Sequence, residues 1–258
     1  MKCCICGTVR NCGSYLNNIL NNMEKIGHVF ADYRIILYYD NSSDNTLNII
    51  KNRLQSNKKI ILIENKESLL EYRTHRIALG RNLCIKEIQK NFSDYEYFIM
   101  MDCDDRCNYR INFDILNKSL NRNDWDALSF NHPVGYYDTW ALSKRPYVVS
   151  CHHFNDNAAC QRLVTNIINK TPKTRLIPCL SAFNGFSIYR TNKFINCTYD
   201  GRFRLDYIPK GLIKENIRYA GAINLSQDKQ DCEHRHFHFE AVFKNNARIR
   251  INPQCIFI

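Results

Sequence analysis

The feature that most constrains this sequence is the alternation of short apolar runs with longer amphipathic segments along residues 1–105. The apolar runs are rich in Ile, Tyr and Cys, and they predict β-strands at residues 2–7, 33–39, 59–64 and 95–101. The segments between them carry apolar residues three and four positions apart, and they predict helices at residues 14–26, 44–54 and 74–91. Such alternation predicts an α/β fold, with a mostly parallel central sheet and helices on both faces.

The second half of the chain is less regular. Its apolar patterning predicts strands at residues 127–131, 176–181 and 185–189, and helices at residues 157–169 and 234–244. The 258 residues include only nine Gly and six Pro, which leaves little material for a flexible linker. We therefore expect one domain over residues 1–258.

The chain is basic, with a formal net charge of +11, which can indicate nucleic acid, an anionic surface or an anionic small ligand as partner. The basic residues are scattered, and the aromatic-plus-basic motif of an RNA-recognition sheet is absent. This pattern favours an ordinary solvated surface, and we expect no nucleic-acid partner. A basic nucleic-acid-binding protein nevertheless stays open as an alternative.

Thirteen Cys residues raise the question of a zinc or redox site, because Cys3 and Cys6 have CxxC spacing. No second CxxC accompanies them, and the His-rich segment lies far away at residues 234–238. Several of the thiols lie inside apolar runs, where free Cys acts as a small buried apolar residue. We expect reduced thiols and a cytoplasmic location. We expect neither a signal peptide nor a transmembrane segment, because no apolar stretch has the required length.

Polar residues follow three of the predicted strands, at residues 7–11, 40–44 and 102–105. In parallel sheets, ligands bind beyond the carboxyl ends of the strands. The shared placement of these three segments predicts one binding site at that edge of the sheet.

The segment from Asp102 to Asp105 follows an apolar strand and places two carboxylates, Asp102 and Asp104, one residue apart. Such a pair can share a hard divalent cation, and Mn²⁺ or Mg²⁺ suits oxygen ligands. Asp pairs at turns often serve only to cap or bond the backbone. The position at a strand end favours a metal site, with Asp102 and Asp104 as ligands.

Asp40 follows the second strand, where a carboxylate can accept hydrogen bonds from a base N–H or a ribose hydroxyl. Ser43 or Asp44 is expected to cap the next helix, whereas Asp40 lies before the cap and is not needed for it.

Three arginines, Arg73, Arg76 and Arg81, cluster on or beside the third predicted helix. Arginine is well suited to binding phosphate, although a solvated helix face is the alternative.

The order of these motifs resembles the nucleotide-binding half of GT-A glycosyltransferases, which use nucleoside-diphosphate sugars. The resemblance rests on the segments 40–46 and 76–82 and on Asp102-Cys103-Asp104 after its strand. Beyond residue 105 it is thinner and is limited to the segments 137–140, 182–189 and 232–234. Similar modules occur in fungal capsule mannosyltransferases and in enzymes of large DNA viruses. The resemblance implies a GT-A fold, with a Rossmann-like mixed sheet flanked by helices. It also implies a nucleotide-sugar-binding half at residues 1–105, an acceptor-binding half at residues 106–258 and, for a viral protein, the host cytoplasm.

The resemblance also implies roles for single residues. Asp40 would contact the nucleoside, Asp102 the ribose and the metal, Asp104 the metal, and Arg81 the diphosphate or the donor sugar. Together with these, the nucleotide-sugar-binding residues would include Thr8, Arg10, Asn184 and Gly185. The last two stand where relatives often have Gly-Gly.

The catalytic base is expected in the second half of the chain, because an inverting transferase needs a group that takes the proton of the acceptor hydroxyl. Glu233 and His234 resemble the acidic pair that opens the catalytic helix in many inverting relatives, so Glu233 is the predicted base and Asp156 the reserve candidate. Some retaining relatives use a late His as third metal ligand, and His234 could serve so. A cluster of surface His residues is the alternative. The aromatic segment 136–140 could stack on a sugar or belong to the core.

These observations predict a metal-dependent glycosyltransferase that moves a sugar from a UDP- or GDP-sugar to a hydroxyl of a glycan or glycoprotein. A nucleotidyltransferase would usually show a Gly-rich loop after the first strand, which residues 7–11 lack. A non-catalytic sugar-binding protein on the same fold also stays open.

Overall fold

The computed structural model of the chain describes residues 1–66, 70–149, 157–220 and 229–258. Its first half confirms the predicted alternation, with element bounds within about two residues of those expected from the pattern. The elements are β1 Lys2–Val9, α1 Gly13–Gly27, β2 Asp32–Tyr39, α2 Thr46–Ser56, β3 Ile60–Glu64, α3 Arg73–Asn91 and β4 Tyr97–Met101.

The second half contains the predicted strands and helices and, in addition, three helices and a strand that the pattern did not reveal. After a 3-10 turn at Asp105–Asn108, its elements are α4 Phe113–Leu120, β5 Ala127–Asn131, α5 Asn157–Lys170, β6 Ile177–Cys179, β7 Phe186–Arg190, α6 Thr191–Phe194, α7 Lys210–Ala220, α8 Glu233–Asn245 and β8 Ile249–Cys255. The unpredicted elements are α4, α6, α7 and β8.

The strands form one eight-stranded mixed sheet in the order β3-β2-β1-β4-β7-β5-β8-β6. Strands β1 to β4 are parallel to one another, and β5 and β8 share their direction. Only β7 and β6 run the other way within the described sheet. The predicted mostly parallel sheet is therefore confirmed, with a reversed β7 at its centre.

Both faces of the sheet are covered. Along β1, Cys3 and Ile5 pack with α1 and α4 on one face, whereas Cys4 and Cys6 pack with α3 and α8 on the other. A strand buried on both faces is apolar at every position, which explains its continuous run. The cysteines that the structure describes are all free thiols, and all but Cys255 are buried. They act mainly as small core residues, as expected.

The loops after β1 and β2 are bonded to each other, which fixes the edge of the sheet. Asp44 accepts hydrogen bonds from the main-chain N–H of Gly13 (2.9 Å) and of Thr46 (3.0 Å). It therefore supports the start of α2 and also anchors α1, but the N-cap residue is Asn45 and not the predicted Ser43 or Asp44. The Asn11 side chain accepts from the Ser43 N–H at 2.8 Å. None of the helices within the four described ranges is long and apolar enough to cross a membrane.

Candidate active site

An open cleft of about 210 Å³ lies at the carboxyl ends of β1, β2 and β4. These ends are adjacent because Val9 pairs with Tyr39, and Cys6 pairs with Met100. The cleft brings together the polar segments that follow the three strands, as predicted. It is lined by Thr8, Val9, Arg10, Tyr38, Asp40, Arg73, Arg76, Ile77, Asp102, Cys103 and Asp104.

Asp102 and Asp104 stand at the inner end of this cleft. Asp102 Oδ1 accepts a hydrogen bond from Arg81 Nη2 at 2.8 Å, and Asp104 Oδ1 accepts one from the Arg106 N–H at 3.0 Å. The second oxygen of each carboxylate has no hydrogen-bond donor among the residues that the structure describes. Burial raises the pKa of Asp102 to about 7, against the opposing charge of Arg81 and with the help of the Asp104 charge. Burial likewise raises the pKa of Asp104.

This arrangement fits a divalent cation. Two partly desolvated carboxylates, each with an oxygen not bonded to protein, repel one another and are relieved by a positive charge between them. Within the described ranges, no group of three His, Cys, Asp or Glu side chains could hold a metal. The described protein therefore offers a pair of oxygen ligands, which matches the way Mg²⁺ binds through one or two carboxylates and substrate phosphates.

The outer part of the cleft contains the other predicted nucleotide-binding residues of the first half. Asp40 is 6% exposed, and its Oδ1 accepts from Asn65 Nδ2 at 3.0 Å. Arg76 Nε lies 3.7 Å from its Oδ2. Thr8 and the exposed Arg10 line the same space. The cleft thus has an acidic group at one end, a carboxylate pair at the other and arginines along its walls.

Arg81 lies behind Asp102 and does not line the cleft. It is 3% exposed, and its Nη1 contacts both Glu233 Oε1 and His234 Nε2 while Nη2 bonds Asp102. Its guanidinium also lies 4.9 Å from the centre of the Phe183 ring. The neighbouring carboxylates keep the pKa of Arg81 above its usual value despite the burial, which opposes the charge. Arg81 is therefore a buried cation held between Asp102 on one side and the start of α8 on the other.

A buried chain of hydrogen bonds continues from Arg81. Because arginine can only donate, His234 Nε2 must accept, and its Nδ1–H then donates to the Tyr189 hydroxyl at 3.4 Å. Tyr189 donates to His238 Nε2 at 3.1 Å, and His238 Nδ1–H donates to Ser181 Oγ at 2.9 Å. The Ser181 hydroxyl donates to a main-chain carbonyl at 2.7 Å. This sequence of donors and acceptors needs both His rings neutral. Burial lowers the pKa of His234 well below its usual value and that of His238 to about 3.

Asn184 and Gly185 lie next to the carboxylate pair Asp102 and Asp104 but do not line the cleft. Asn184 is 2% exposed, and its Oδ1 accepts from the N–H groups of Tyr137 (3.1 Å) and Asp138 (3.2 Å). The Gly185 carbonyl accepts from the Asp102 N–H at 2.8 Å. Gly185 has φ +82°, and a Cβ there would come within 2.5 Å of the Tyr137 hydroxyl, so only glycine fits. These two residues position the site from behind.

Residues 4–168, more than half of the chain, match the family described as Glycosyl transferase family 2. The chain belongs to glycosyl transferase family 2. No curated protein matches this family 2 chain.

Solved structures agree with the GT-A type of fold. The crystal structure of S. aureus TarS 1–349 has a TM-score of 0.53 and 15% identity, with 100% of this chain and 59% of TarS 1–349 covered. The same fragment in complex with UDP-GlcNAc has a TM-score of 0.51 and 16% identity, with 100% of this chain and 57% of that chain covered. The family 2 chain thus spans less than two thirds of the length of these structures. At such identities the likeness shows the fold.

The predicted catalytic and metal-binding residues of the second half, Asp156, Glu233 and His234, are not among the described residues that line the cleft. Asp156 is outside the residues that the structure describes. Glu233 begins α8, as predicted, but its carboxylate is 6% exposed and paired with Arg81. Both ring nitrogens of His234 face protein groups, and Arg81 lies between this ring and Asp102. The structure therefore gives no support to His234 as a third metal ligand, and the cluster of His residues in α8 is largely buried rather than superficial.

Asp138 is a partly exposed carboxylate that the sequence reasoning missed. It lies in the aromatic segment 136–140, for which only the Tyr and Trp residues were given a possible role. Burial, with the charge of Glu233, raises the pKa of Asp138 to about 6, against a main-chain hydrogen bond and the charges of Arg81 and Arg235. The signals in the sequence were a lone acidic residue within an aromatic run and the thin resemblance of segment 137–140 to the family.

Proposed function

We propose that this family 2 chain transfers a sugar from a nucleoside diphosphate to a hydroxyl of a glycan or glycoprotein, with a divalent cation at Asp102 and Asp104. The observation that carries the proposal is the pair of carboxylates at the end of β4, each with an oxygen that no described residue satisfies, beside a cleft that starts at Asp40. Family membership supports the reaction class. The complex of the TarS fragment with UDP-GlcNAc makes a uridine donor the first to test.

The donor would lie along the cleft with its base at Asp40. A carboxylate there accepts hydrogen bonds from an N–H of uracil or guanine, and Asn65 keeps it oriented. Thr8 and Arg10 would contact the ribose and phosphate region.

The diphosphate would then lie between the arginine wall and the carboxylate pair. Arg73 and Arg76 neutralise part of its charge. Asp102 and Asp104 would hold Mn²⁺ or Mg²⁺, which stabilises the negative charge that develops on the departing diphosphate.

Arg81 supplies a second, fixed positive charge at the reacting end. It is always protonated, and its contacts with Glu233, His234 and Asp102 leave it one orientation. Preorganised charges of this kind stabilise a transition state without reorganising when the reaction occurs. Because the Glu233 carboxylate already accepts from Arg81, its proposed role is to hold this cation.

The test is a screen of UDP- and GDP-sugars for Mn²⁺-dependent turnover by the wild type, Asp104→Ala and Asp105→Ala. Asp105 is the matched control, because its side chain is 58% exposed and it adjoins Asp104 without lining the cleft. We expect turnover of one donor, a decrease of about 100-fold or more in Asp104→Ala, and a change of less than about threefold in Asp105→Ala. Equal turnover in wild type and Asp104→Ala would contradict the proposal.

Two other results would redirect the assignment. Stabilisation of the fold by UDP or GDP with Mn²⁺, without turnover of any sugar nucleotide, would indicate a non-catalytic sugar-binding protein. Salt-dependent binding of DNA or RNA that neither nucleotide affects would indicate the basic nucleic-acid-binding alternative.

A further inference from the structure

We propose that Asp138 is the residue that takes the proton from the acceptor hydroxyl, and that Glu233 only positions Arg81. This inference rests on the proposed sugar transfer. It assigns a function to a carboxylate that the donor site does not use.

Two consecutive residues, Asn184 and Gly185, hold the main chain of Asp138 near that of Asp102. The Asn184 side chain accepts from the Asp138 N–H at 3.2 Å, and the carbonyl of the next residue, Gly185, accepts from the Asp102 N–H at 2.8 Å. Tyr136 adds a hydrogen bond of 2.7 Å from its hydroxyl to the carbonyl of Phe183. The loop that carries Asp138 is thus held to the same strand entry that holds Asp102.

The other end of the loop is held by α8. The buried Arg235 donates from Nη2 to the Trp140 carbonyl at 2.6 Å, and it also forms a two-point ion pair with Asp231. Since Arg235 lies two residues after Glu233, the loop is fixed between the start of α8 and the Asn184–Gly185 segment. The main chain of Asp138 therefore cannot move away from the main chain of Asn184 without breaking buried hydrogen bonds.

Asp102 and Asp104 are assigned to the cation. Among the other carboxylates near them, Asp138, Glu233 and Asp231, only Asp138 has an oxygen that can receive a proton. Its Oδ1 accepts from the Ala141 N–H at 3.1 Å, and no described residue donates to its other oxygen. Glu233 is 5% exposed and paired with Arg81, and Asp231 is 1% exposed and paired with Arg235. A proton acceptor must come within hydrogen-bond distance of the hydroxyl that loses the proton. The partly exposed Asp138 can do this, whereas the buried and paired Glu233 and Asp231 cannot.

The charges around Asp138 suit a base at neutral pH. Asp102 and Glu233 are the neighbouring carboxylates, and Arg81 and Arg235 are the neighbouring cations. Burial and the neighbouring carboxylates raise the pKa of Asp138, and the two cations lower it; the net value is about 6. Asp138 is therefore ionised at pH 7 and still more basic than an exposed aspartate.

The step is a single displacement at the anomeric carbon. The acceptor O–H loses its proton to the free oxygen of Asp138 while the acceptor oxygen forms a bond to that carbon. The bond from the carbon to the diphosphate oxygen breaks, and its electron pair leaves with the diphosphate. Asp138 then releases the proton to water, so the carboxylate is regenerated.

The experiment compares Asp138→Asn with Glu233→Gln, using the sugar nucleotide that the wild type turns over, at saturating Mn²⁺. We expect Asp138→Asn to bind UDP or GDP as the wild type does, and to lose turnover by about 100-fold or more. Sodium azide should restore turnover in this variant, with a glycosyl azide as product, because azide has no proton to lose. The wild-type rate should rise with pH through one ionisation near the pKa of Asp138, about 6, and this rise should be absent from Asp138→Asn.

Glu233→Gln serves as the comparison, because a positioning residue should not respond to azide. We expect it to lower the stability of the fold and to show no azide rescue. Turnover in Asp138→Asn within about threefold of the wild type, or azide rescue in Glu233→Gln alone, would overturn the inference. If either result accompanies loss of turnover in Asp104→Ala, the proposed function stands and only the base is wrong. If the wild type turns over no sugar nucleotide, the proposed function fails and the base fails with it.

Discussion

Asp102 separates two regions of different character. On one side lies the open cleft. Its polar groups, such as Arg10 and Asp104, are not fully paired within the described protein. On the other side lies a closed network in which Arg81, His234 and Glu233 bond one another out of contact with water. The open side is built to receive a ligand, and the closed side is built to keep one cation in place.

This difference indicates which residues can be changed with an effect on activity alone, and which cannot be changed without an effect on stability. Polar groups that face water in the free protein can change without a large cost to folding, because water replaces the lost partner. A buried charge that loses its partner has no such substitute. Variants on the two sides of Asp102 should therefore divide into those that lose function and keep the fold, and those that lose both.

The largest expected effect is on the closed side. In Arg81→Met, the buried carboxylate of Glu233 and the inner oxygen of Asp102 lose their cation, and the free energy of unfolding should fall by about 3–5 kcal/mol. Urea denaturation measures it. Arg10→Met, on the exposed side, should change the stability by less than about 0.5 kcal/mol.

A double variant sharpens this comparison. Adding Glu233→Gln to Arg81→Met removes the unpaired charge and should return part of the lost stability, while turnover stays absent. If Arg81→Met proved as stable as Arg10→Met, the closed network would not be the rigid support that its contacts indicate.

The next effect concerns the open side, where variants of Asp40 and Asp44, two aspartates of one segment, should behave differently. Asp40→Asn should weaken binding of UDP or GDP by about 1.5–3 kcal/mol, since it removes a charged acceptor from the proposed base site. Asp44→Asn should leave this affinity nearly unchanged and lower the stability by about 1 kcal/mol, because Asp44 bonds the Gly13 and Thr46 N–H groups. Titration calorimetry and urea denaturation distinguish the two. Equal losses of affinity would mean that Asp40, like Asp44, acts only on the loops.

A smaller effect tests the chain of hydrogen bonds behind Arg81. Tyr189→Phe removes the hydroxyl that joins His234 to His238 and should lower the free energy of unfolding by about 1–2 kcal/mol. Tyr15→Phe is the control, since Tyr15 is 38% exposed, and it should be neutral. Nitrogen NMR of the wild type should show the proton of both His rings on Nδ1. A proton on Nε2 of His234 would contradict the proposed order of donors and acceptors.

The open side was predictable from the sequence because local patterns encode it. Apolar runs that end in polar segments at Asp40 and Asp102 give both the parallel sheet and its binding edge, and these predictions rest on residues adjacent in the chain. Strand β8 escaped because Pro253 and its polar neighbours interrupt the apolar alternation.

The closed side was not predictable, because tertiary contacts make it. Arg81 meets Glu233 across 152 residues, and Asn184 meets Asp138 across 46. A pattern can mark Glu233 as acidic and at the start of a helix, but the pairing that occupies its carboxylate appears only in the fold. The same holds for Asp138, whose surroundings come from segments far apart in the chain.

The smallest expected effect decides which side of the site Asp138 belongs to. Its folded pKa is about 6, above the ordinary value of 3.8, so between about pH 4 and pH 6 the folded protein holds this proton and the unfolded chain releases it. The group therefore contributes stability below pH 4 that is lost as the pH rises through 6. Asp138→Asn does not lose this stability. The variant should therefore gain about 1 kcal/mol in unfolding free energy relative to the wild type between about pH 4 and pH 6. The effect is limited to this size because the side chain is partly exposed.

Other carboxylates do not obscure this difference. Asp32 and Asp200 have pKa values lowered by their hydrogen bonds to neighbouring groups, so their contributions change mainly below pH 4 and with the opposite sign. They are also present in both proteins, as is Asp102. Urea denaturation at intervals from pH 4 to pH 7 gives the two curves. Parallel curves would place Asp138 in water with an ordinary pKa, on the open side, and would remove the electrostatic support for its role as the base.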